Sequence, residues 1–592
     1  MVDGTSQTHS RTLPVVLIAA AVQGWALYAL HMAIKESHWP ATAPAWLLGL
    51  YAIAAFIPLT VQLTAAHIEK RVAWLIAALL TLLFFYFGWH HGANVMDREA
   101  ERFVSSGEWL PMAFVLGVLW LLVLPFVQCR LVHGTWRVRY EALFAMAWHN
   151  KLVLAEAALF TGLFWLLLFL WAALFKMLGI LFFKELFEGP LFIYPVTSLV
   201  FGIALHLIGS LERLTSVVLE QLLNVLKWLA LVAGLILACF TLALVLKLPG
   251  LIASGERAIG AAWLLWLVAV TVLLVNAAYR DGVTAEPYPR WIGLALRCVI
   301  PLVVIISITA VYALYLRIDA YGITVERVWA LIVAAAGCIY AGGYAFAAIK
   351  SSRWMAGVAT VNVVAAIFLI VALGLALTPV LSPFRIAANS QFALAQEQPL
   401  EQGNQYGRRG PRESPMHYLR FSAGKYGERR LQQLAGLQNH PRAQEIREAA
   451  ATLIAQVDPW ERPQPMHVKE RLANILVYPQ GKAVEAGLLE RLDADLHNAS
   501  LFSGYNDSDE QLRGLFVDLN ADSVDEFVFF VTPTVHLYKR YAGAWVHEGQ
   551  LVTKDLKPSE SLAALLLAGE ISVHEPEWRE LSIGRHRFRL SD

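Results

Sequence analysis

The strongest constraint in this chain is a repeated apolar run. Between Leu13 and Leu381 stretches of about 20 residues with almost no charge follow one another, and a helix of that length crosses the hydrocarbon of a bilayer at about 1.5 Å per residue. The runs are Leu13 to Ile34, Pro44 to Ala66, Val72 to Trp89, Leu110 to Gln128, Leu152 to Leu174, Leu191 to Ile208, Val225 to Leu246, Ile259 to Tyr279, Trp291 to Leu316, Val328 to Ile349 and Met355 to Leu381. They predict an all-α polytopic helix bundle of about eleven spans over residues 1–384. With 57% hydrophobic and 16% charged residues the whole chain is too apolar for ordinary globular packing. A net charge of +1 gives no reason to expect nucleic acid as a partner; the expected partners are the lipid bilayer and an envelope protein.

Beyond Pro383 the character changes. Residues 385–415, rich in Gln, Gly, Arg and Asn, read as a flexible linker, and 416–592 as a soluble α+β domain. Helix-period patterns come first (GERRLQQLAGL, REAAATLIAQV, VEAGLLERLDADL). Strand-like runs follow (LFVDL, EFVFFV, VHLYKRY, AWVHEGQLV, ISV, HRFRL). The stretch FKMLGILFFKELFEGP, with Lys176, Lys184, Glu185 and Glu188 among phenylalanines, predicts a short interfacial helix.

Orientation follows from basic residues in short loops, which stay on the cytoplasmic side during insertion. Lys70 and Arg71 follow the second span, Arg130, Arg137, Arg139 and Lys151 the fourth, Arg280 and Arg290 the eighth, and Lys350 and Arg353 the tenth. The alternate loops carry acids such as Asp97, Glu99, Glu101 and Glu108. An odd number of spans with the N-terminus inside delivers the C-terminal domain to the far side, the periplasm if the membrane is a bacterial inner membrane. Trp89, Trp109, Trp228, Trp291, Trp329 and Trp354 fall at predicted span ends, as in an interfacial aromatic belt.

Polar side chains inside spans are costly and mark either a site or residues that reach the interface. The candidates are Gln62, Glu156, His206, Asn276, Arg297 and Asn362, all in the cytoplasmic third of their spans on this topology. Lining a cytoplasm-facing cavity, with Glu156 and Arg297 as an ion pair, is one reading; ordinary near-interface polar residues is the other. Gly337, Ala341 and Ala345 recur every four positions, which allows close helix contact. No pair of Gly/Pro-broken spans is evident. Cys129, Cys239, Cys298 and Cys338 show no metal-type spacing and read as small core residues. Adjacent His90 and His91 point about 100° apart on a helix, which disfavours a shared metal. No GxSxG, HExxH or phosphate-binding loop is present; GKY at Gly424 lacks the necessary spacing, so a catalytic site is not expected.

The string YALYLRIDAYGITVERVWAL, Tyr312 to Leu331, is the most distinctive locally. With Tyr315, Arg317, Tyr321, Gly322, Thr324 and Arg327, and with the preceding NAAYRDG and Pro287, it resembles the bacterial multi-pass family known as domain of unknown function 4153. The resemblance covers roughly the membrane half and implies an inner-membrane protein without an assigned activity. Physically, the Tyr-Gly pair suits a tight turn between spans with Gly322 at positive φ; Arg317 and Arg327 flank it, with Asp319 and Glu326 near enough to neutralise them.

In the soluble part, DLNADSVDE holds Asp518, Asn520, Asp522, Asp525 and Glu526 between two strand-like runs. Alternate oxygen ligands on a tight loop resemble the calcium-type loops of FG-GAP and related β-repeat proteins. Ala521 and Ser523 stand where such loops usually have glycine, so the alternative is a hairpin turn with solvated carboxylates. The two functional readings are a transporter or channel-like component and a membrane-anchored sensor or scaffold whose outer domain binds envelope partners.

Overall fold

The computed structural model describes residues 3–94, 109–254, 260–282, 287–350, 354–397, 406–407, 410–411, 414–456, 472, 475–479, 482–496, 512–531, 534–551, 581–583 and 586–588. The acidic cluster from Asp97 to Glu108, Arg353, the ISV run and much of the expected linker lie outside them. The chain divides into two compact units, residues 1–403 with 413–450 and residues 404–412 with 451–592.

The first unit is helical. In order run α1 (Asp3–Lys35), α2 (Pro44–Leu63), α3 (Arg71–Asn94), α4 (Leu110–His133), α5 (Tyr140–Met177), α6 (Phe182–Glu188), α7 (Pro190–Ser210), α8 (Glu212–Ser254) and α9 (Ala261–Tyr279). There follow α10 (Arg290–Val299), α11 (Val303–Tyr321), α12 (Val325–Lys350), α13 (Val358–Ala376), α14 (Pro383–Glu397), α15 (Pro415–Phe421), α16 (Gly424–Ala435) and α17 (Ala443–Ala455). Among the described residues eleven segments are long and apolar enough to cross a membrane, α10 and α11 together making one of them. Their outward faces are strongly apolar: Leu163, Leu166, Leu167, Phe169 and Leu170 of α5 all lie more than half exposed. In water such a surface would drive aggregation, and in lipid it is the normal exterior.

Local chemistry sets many helix ends. Pro44 and Pro190 sit in the first turns of α2 and α7, where a missing N–H costs nothing, and Gly134 closes α4 at φ +75°. Pro301 interrupts the ninth span. It cannot donate to the Arg297 carbonyl, and the chain passes through a 3₁₀ turn, Ile300–Leu302, between α10 and α11. The sequence argues only against a pair of broken spans; the structure shows a break in this one.

Packing between spans uses small residues. The tightest hairpin is α2 with α3, where a methyl group on Gly88 or Gly92 would overlap the carbonyls of Leu48 and Pro44. Gly337, Ala341 and Ala345 are buried on α12 as the four-residue repeat suggests, Gly337 facing Val268 of α9. Short helix α6 forms where expected and folds back on its neighbours through Phe183 and Phe187 against Trp171, Phe175 and Phe192. The cysteine expectation holds only for Cys129; Cys239, Cys298 and Cys338 are exposed on the lipid-facing exterior, where a thiol behaves as a small apolar group.

The expected linker differs too. Residues 383–397 form α14, and α14, α15 and α16 pack on one another and on the bundle. Phe384 meets the His91 ring at 5.5 Å, and Gly424 lies against the Asn94 carbonyl at the end of α3. The membrane unit therefore extends to about residue 450, well past the expected boundary, because Ala387, Ala388, Gln391 and Ala395 of a polar-looking helix are buried against it.

The second unit carries a five-stranded sheet in the order β3 (Leu476–Tyr478), β4 (Arg513–Val517), β5 (Glu526–Val531), β6 (Thr534–Tyr541), β7 (Ala544–Leu551). β3 is parallel to β4 and the rest is an antiparallel meander. Pairing registers such as Leu515 with Val528 and Phe516 with Phe527 put alternate residues on opposite faces. Phe516, Phe527, Phe529, Tyr538 and Trp545 share one core with Leu488 and Leu492 of α18 (Ala486–Leu496). Two short pairs, β1 (Tyr406–Gly407) with β2 (Gly410–Pro411) and β8 (Leu581–Ile583) with β9 (His586–Phe588), stand apart from this sheet.

Candidate functional site

The six intramembrane polar candidates do not converge on one place. Two of them do meet, and they bring tyrosines the sequence reading did not single out. Asn362 of α13 accepts a hydrogen bond from the Tyr344 hydroxyl of α12 at 2.6 Å. Its amide donates to the Tyr140 hydroxyl at 2.8 Å and to Asn276 Oδ1 of α9 at 2.5 Å. One asparagine thus joins α5, α9, α12 and α13. Tyr340 packs against Tyr344 with ring centres 5.6 Å apart, and Tyr140 against Tyr279 at 5.9 Å.

Helix geometry explains the meeting. Asn276 lies three residues before the end of α9, Tyr140 opens α5, Asn362 is in the first turns of α13, and Tyr344 is in the last turns of α12. All four therefore sit within about two turns, roughly 10 Å, of the same end of the bundle. That end also carries basic loops. Arg280 donates to Asn224 of α8 at 2.7 Å, Arg297 donates to the Ala348 carbonyl at 2.8 Å, and Tyr279 donates to the Ala356 carbonyl at 3.3 Å. Asp281 and Glu141 stand close to Tyr279, so both charge signs border the cluster.

Arg297 is thus engaged with the end of α12, and among the described residues no ion pair joins it to Glu156, which is half-buried on α5. His206 is half-buried near the end of α7. Gln62 belongs to a separate contact: its amide donates to Gln23 Oε1 of α1 at 3.3 Å, while Gln23 donates to the Ala55 carbonyl at 3.0 Å. A third polar pair, Gln128 of α4 with Asn150 of α5, exchanges bonds at 2.7 and 3.1 Å. Gln23 and Asn150 carried the same signal as Gln62, an amide on an otherwise apolar helix. His90 bonds within its own helix to Asn94 and His91 faces Phe384, so the two histidines do point apart.

The Tyr-Gly turn lies at the opposite end of the spans. Gly322 has φ +67°, and a side chain there would press on Gln391 and Ser390 of α14. Gln391 donates to the carbonyls of Tyr321 and Ile323 at 3.0 and 3.1 Å, and Ser390 accepts from the Ile323 amide at 2.8 Å. Arg327 donates to the Tyr321 carbonyl at 3.1 Å and to that of Gly322, and its guanidinium stands 5.6 Å from the Tyr321 ring centre. Arg317, the other flanking cation, is close enough to Arg327 to repel it. The motif is a turn gripped by the helices that follow the last span.

In the second unit the acidic loop closes on itself. Asp518 accepts from the Asp522 and Ser523 amides, Asn520 from the Asp522 amide, Asp522 from the Val524 amide and Glu526 from the Leu519 amide, at 2.8–3.3 Å. Asp525 pairs with Lys482. Ala521 and Ser523 take φ +61° and +68°, so the turn forms without glycine at a strain of about 1 kcal/mol or more each. Among the described residues no group of three or more His, Cys, Asp or Glu side chains is placed to hold a metal ion. Nearby, His536 Nδ1 lies 3.0 Å from His547 Nε2 inside the sheet, with buried Asp495 bonded to Arg491 at 2.8 Å on the adjoining helix. Burial first, and His547 second, lower the His536 pKa to about 4.

Eleven spans with polar interhelical joints define a multi-pass integral membrane protein. Comparison with protein-family models, with curated proteins and with solved structures finds no match to this chain.

Proposed function

We propose that the helical bundle is a transporter or channel-like component of a bacterial inner membrane, and that the Asn276, Asn362, Tyr140 and Tyr344 cluster contacts its solute. The observation that carries this reading is the concentration of two amides and two phenols at one end of four spans, in a medium where each polar group is expensive. Such groups offer donors and acceptors to a small polar solute, and the Pro301 break supplies a point where a span can flex. On this reading that end lies in the cytoplasm, with the N-terminus inside and the second unit in the periplasm; the basic loops beside the cluster support it. The likeness of Tyr312 to Leu331 to domain of unknown function 4153 supports the same placement.

The test is a thermal-shift screen of the purified full-length protein against small polar metabolites, repeated with Asn362→Leu and Asn276→Leu. A solute at about 100 times its Kd adds about 2.7 kcal/mol of stability. The reading expects stabilising solutes whose effect both variants lose; solutes that stabilise the folded variants as well as the wild type would overturn it.

The runner-up is a membrane-anchored scaffold, favoured by the separate β-sheet unit. It predicts envelope proteins that co-purify in mild detergent and are lost when residues 451–592 are removed.

A further inference from the structure

The outward stripe of the eleventh span ends on an arginine. Val364, Ile367, Val371 and Leu375 of α13 are exposed at helical spacing, the face this span turns to lipid, and exposed Val380 and Leu381 continue it past the helix end. Arg385, exposed in the first turn of α14, donates to the Val380 carbonyl at 2.8 Å. It stands where the apolar stripe gives way to polar surface, the depth of lipid headgroups. One turn further along the same exposed face is Asn389, and residues four apart on a helix hold their Cβ atoms about 5–6 Å from each other. Asn389 Oδ1 accepts two N–H groups of Arg430 from α16, at 2.6 and 3.0 Å, and a third goes to Gln433 Oε1 at 2.7 Å. The Arg430 guanidinium also stands 5.1 Å from the Phe392 ring centre. Two cations are thus fixed about one turn apart by neutral groups. Among the described residues neither makes an ion pair. Glu397, the acid on the same face of α14, is roughly 12 Å of helix rise beyond Asn389.

We infer that Arg385 and Arg430 together bind the phosphate of an anionic phospholipid in the leaflet at this end of the bundle. A guanidinium carries five N–H donors in a fork that matches phosphate oxygens. Arg430 directs three of them to Asn389 and Gln433 and Arg385 directs one to Val380, so both keep donors for a phosphate. Asn389 holds Arg430 in place beforehand, so little side-chain freedom is lost on binding. Like charges at this spacing repel, and an anion between them relieves the repulsion. A lipid meets both halves of the arrangement, its acyl chains along the α13 stripe and its headgroup on the arginines. A soluble anion would use only the second.

The experiment places the full-length protein in nanodiscs of dioleoyl phosphatidylglycerol or dioleoyl phosphatidylcholine and reads amide hydrogen exchange across residues 384–393. Exchange is expected to be about fivefold slower in phosphatidylglycerol, the equivalent of about 1 kcal/mol. Arg385→Gln combined with Arg430→Gln should erase that difference, while α2 and α7 keep their wild-type rates as the sign that the variant is folded. No difference between the two lipids, a difference that survives the double substitution, or equal protection when inorganic phosphate is added to the phosphatidylcholine discs would each overturn the proposal. Arg385 is exposed, so Arg385→Gln alone, expected to remove most of the difference, decides the matter if the double variant does not fold.

Discussion

The hydroxyl of Tyr418 accepts a hydrogen bond from the backbone N–H of Val325 at 2.8 Å, across 93 positions of sequence. Val325 opens α12, and its N–H is one of the donors a helix cannot satisfy for itself. Ser390 and Gln391 complete the same turn from α14. Helices that follow the last span thus cap the ends of two earlier ones.

Tyr418→Phe should remove the cap and cost about 1 kcal/mol. Amide hydrogen exchange at Ile323 and Val325 in detergent-solubilised protein is the measurement, with exchange expected to quicken about fivefold while helices far from the turn keep their wild-type rates.

Asn362→Leu should destabilise the bundle by about 1–3 kcal/mol, because Tyr344, Asn276 and Tyr140 each lose a partner in a region poor in alternatives. In a double-mutant cycle with Asn276→Leu, read by thermal unfolding, the two losses should sum to more than the double variant shows, since both remove one shared bond.

The His536 pKa, held near 4 in the folded sheet, makes the second unit sensitive to acid. In the unfolded chain the ring titrates near 6.5, so the unfolded state binds the extra proton first. Stability is complete above pH 6.5, falls as pH drops toward 4 and levels off below it, with a total loss of a few kcal/mol at most. Exchange protection of the β5 to β7 amides between pH 7 and 4 should follow that course, and His536→Phe should flatten it.

Asp518→Ala should cost the second unit about 0.5–1.5 kcal/mol by removing the acceptor of the Ser523 amide and one of the two acceptors of the Asp522 amide, both exposed. Because the carboxylate serves the backbone, the loss in thermal stability should be equal with calcium and with a chelator present.

The sequence determined the spans. Apolar runs of bilayer length are a property of consecutive residues, so all eleven were legible, as were Gly322 as a turn residue and the strands around Phe516, Phe529 and Leu537. Which polar residues meet was decided only by the tertiary structure. Asn276 and Asn362 stood out as amides in apolar helices, but Tyr140 is 222 positions from Asn362 and was hidden among ordinary interfacial tyrosines. Helix α14 looked like a tether because its buried face is made of Ala387, Ala388, Gln391 and Ala395 rather than large apolar residues. Small side chains carry little hydropathy signal, yet they are what lets a helix settle against a turn. Periodicity and length are written locally in the chain, whereas a hydrogen bond between distant residues exists only once packing has brought its two ends together.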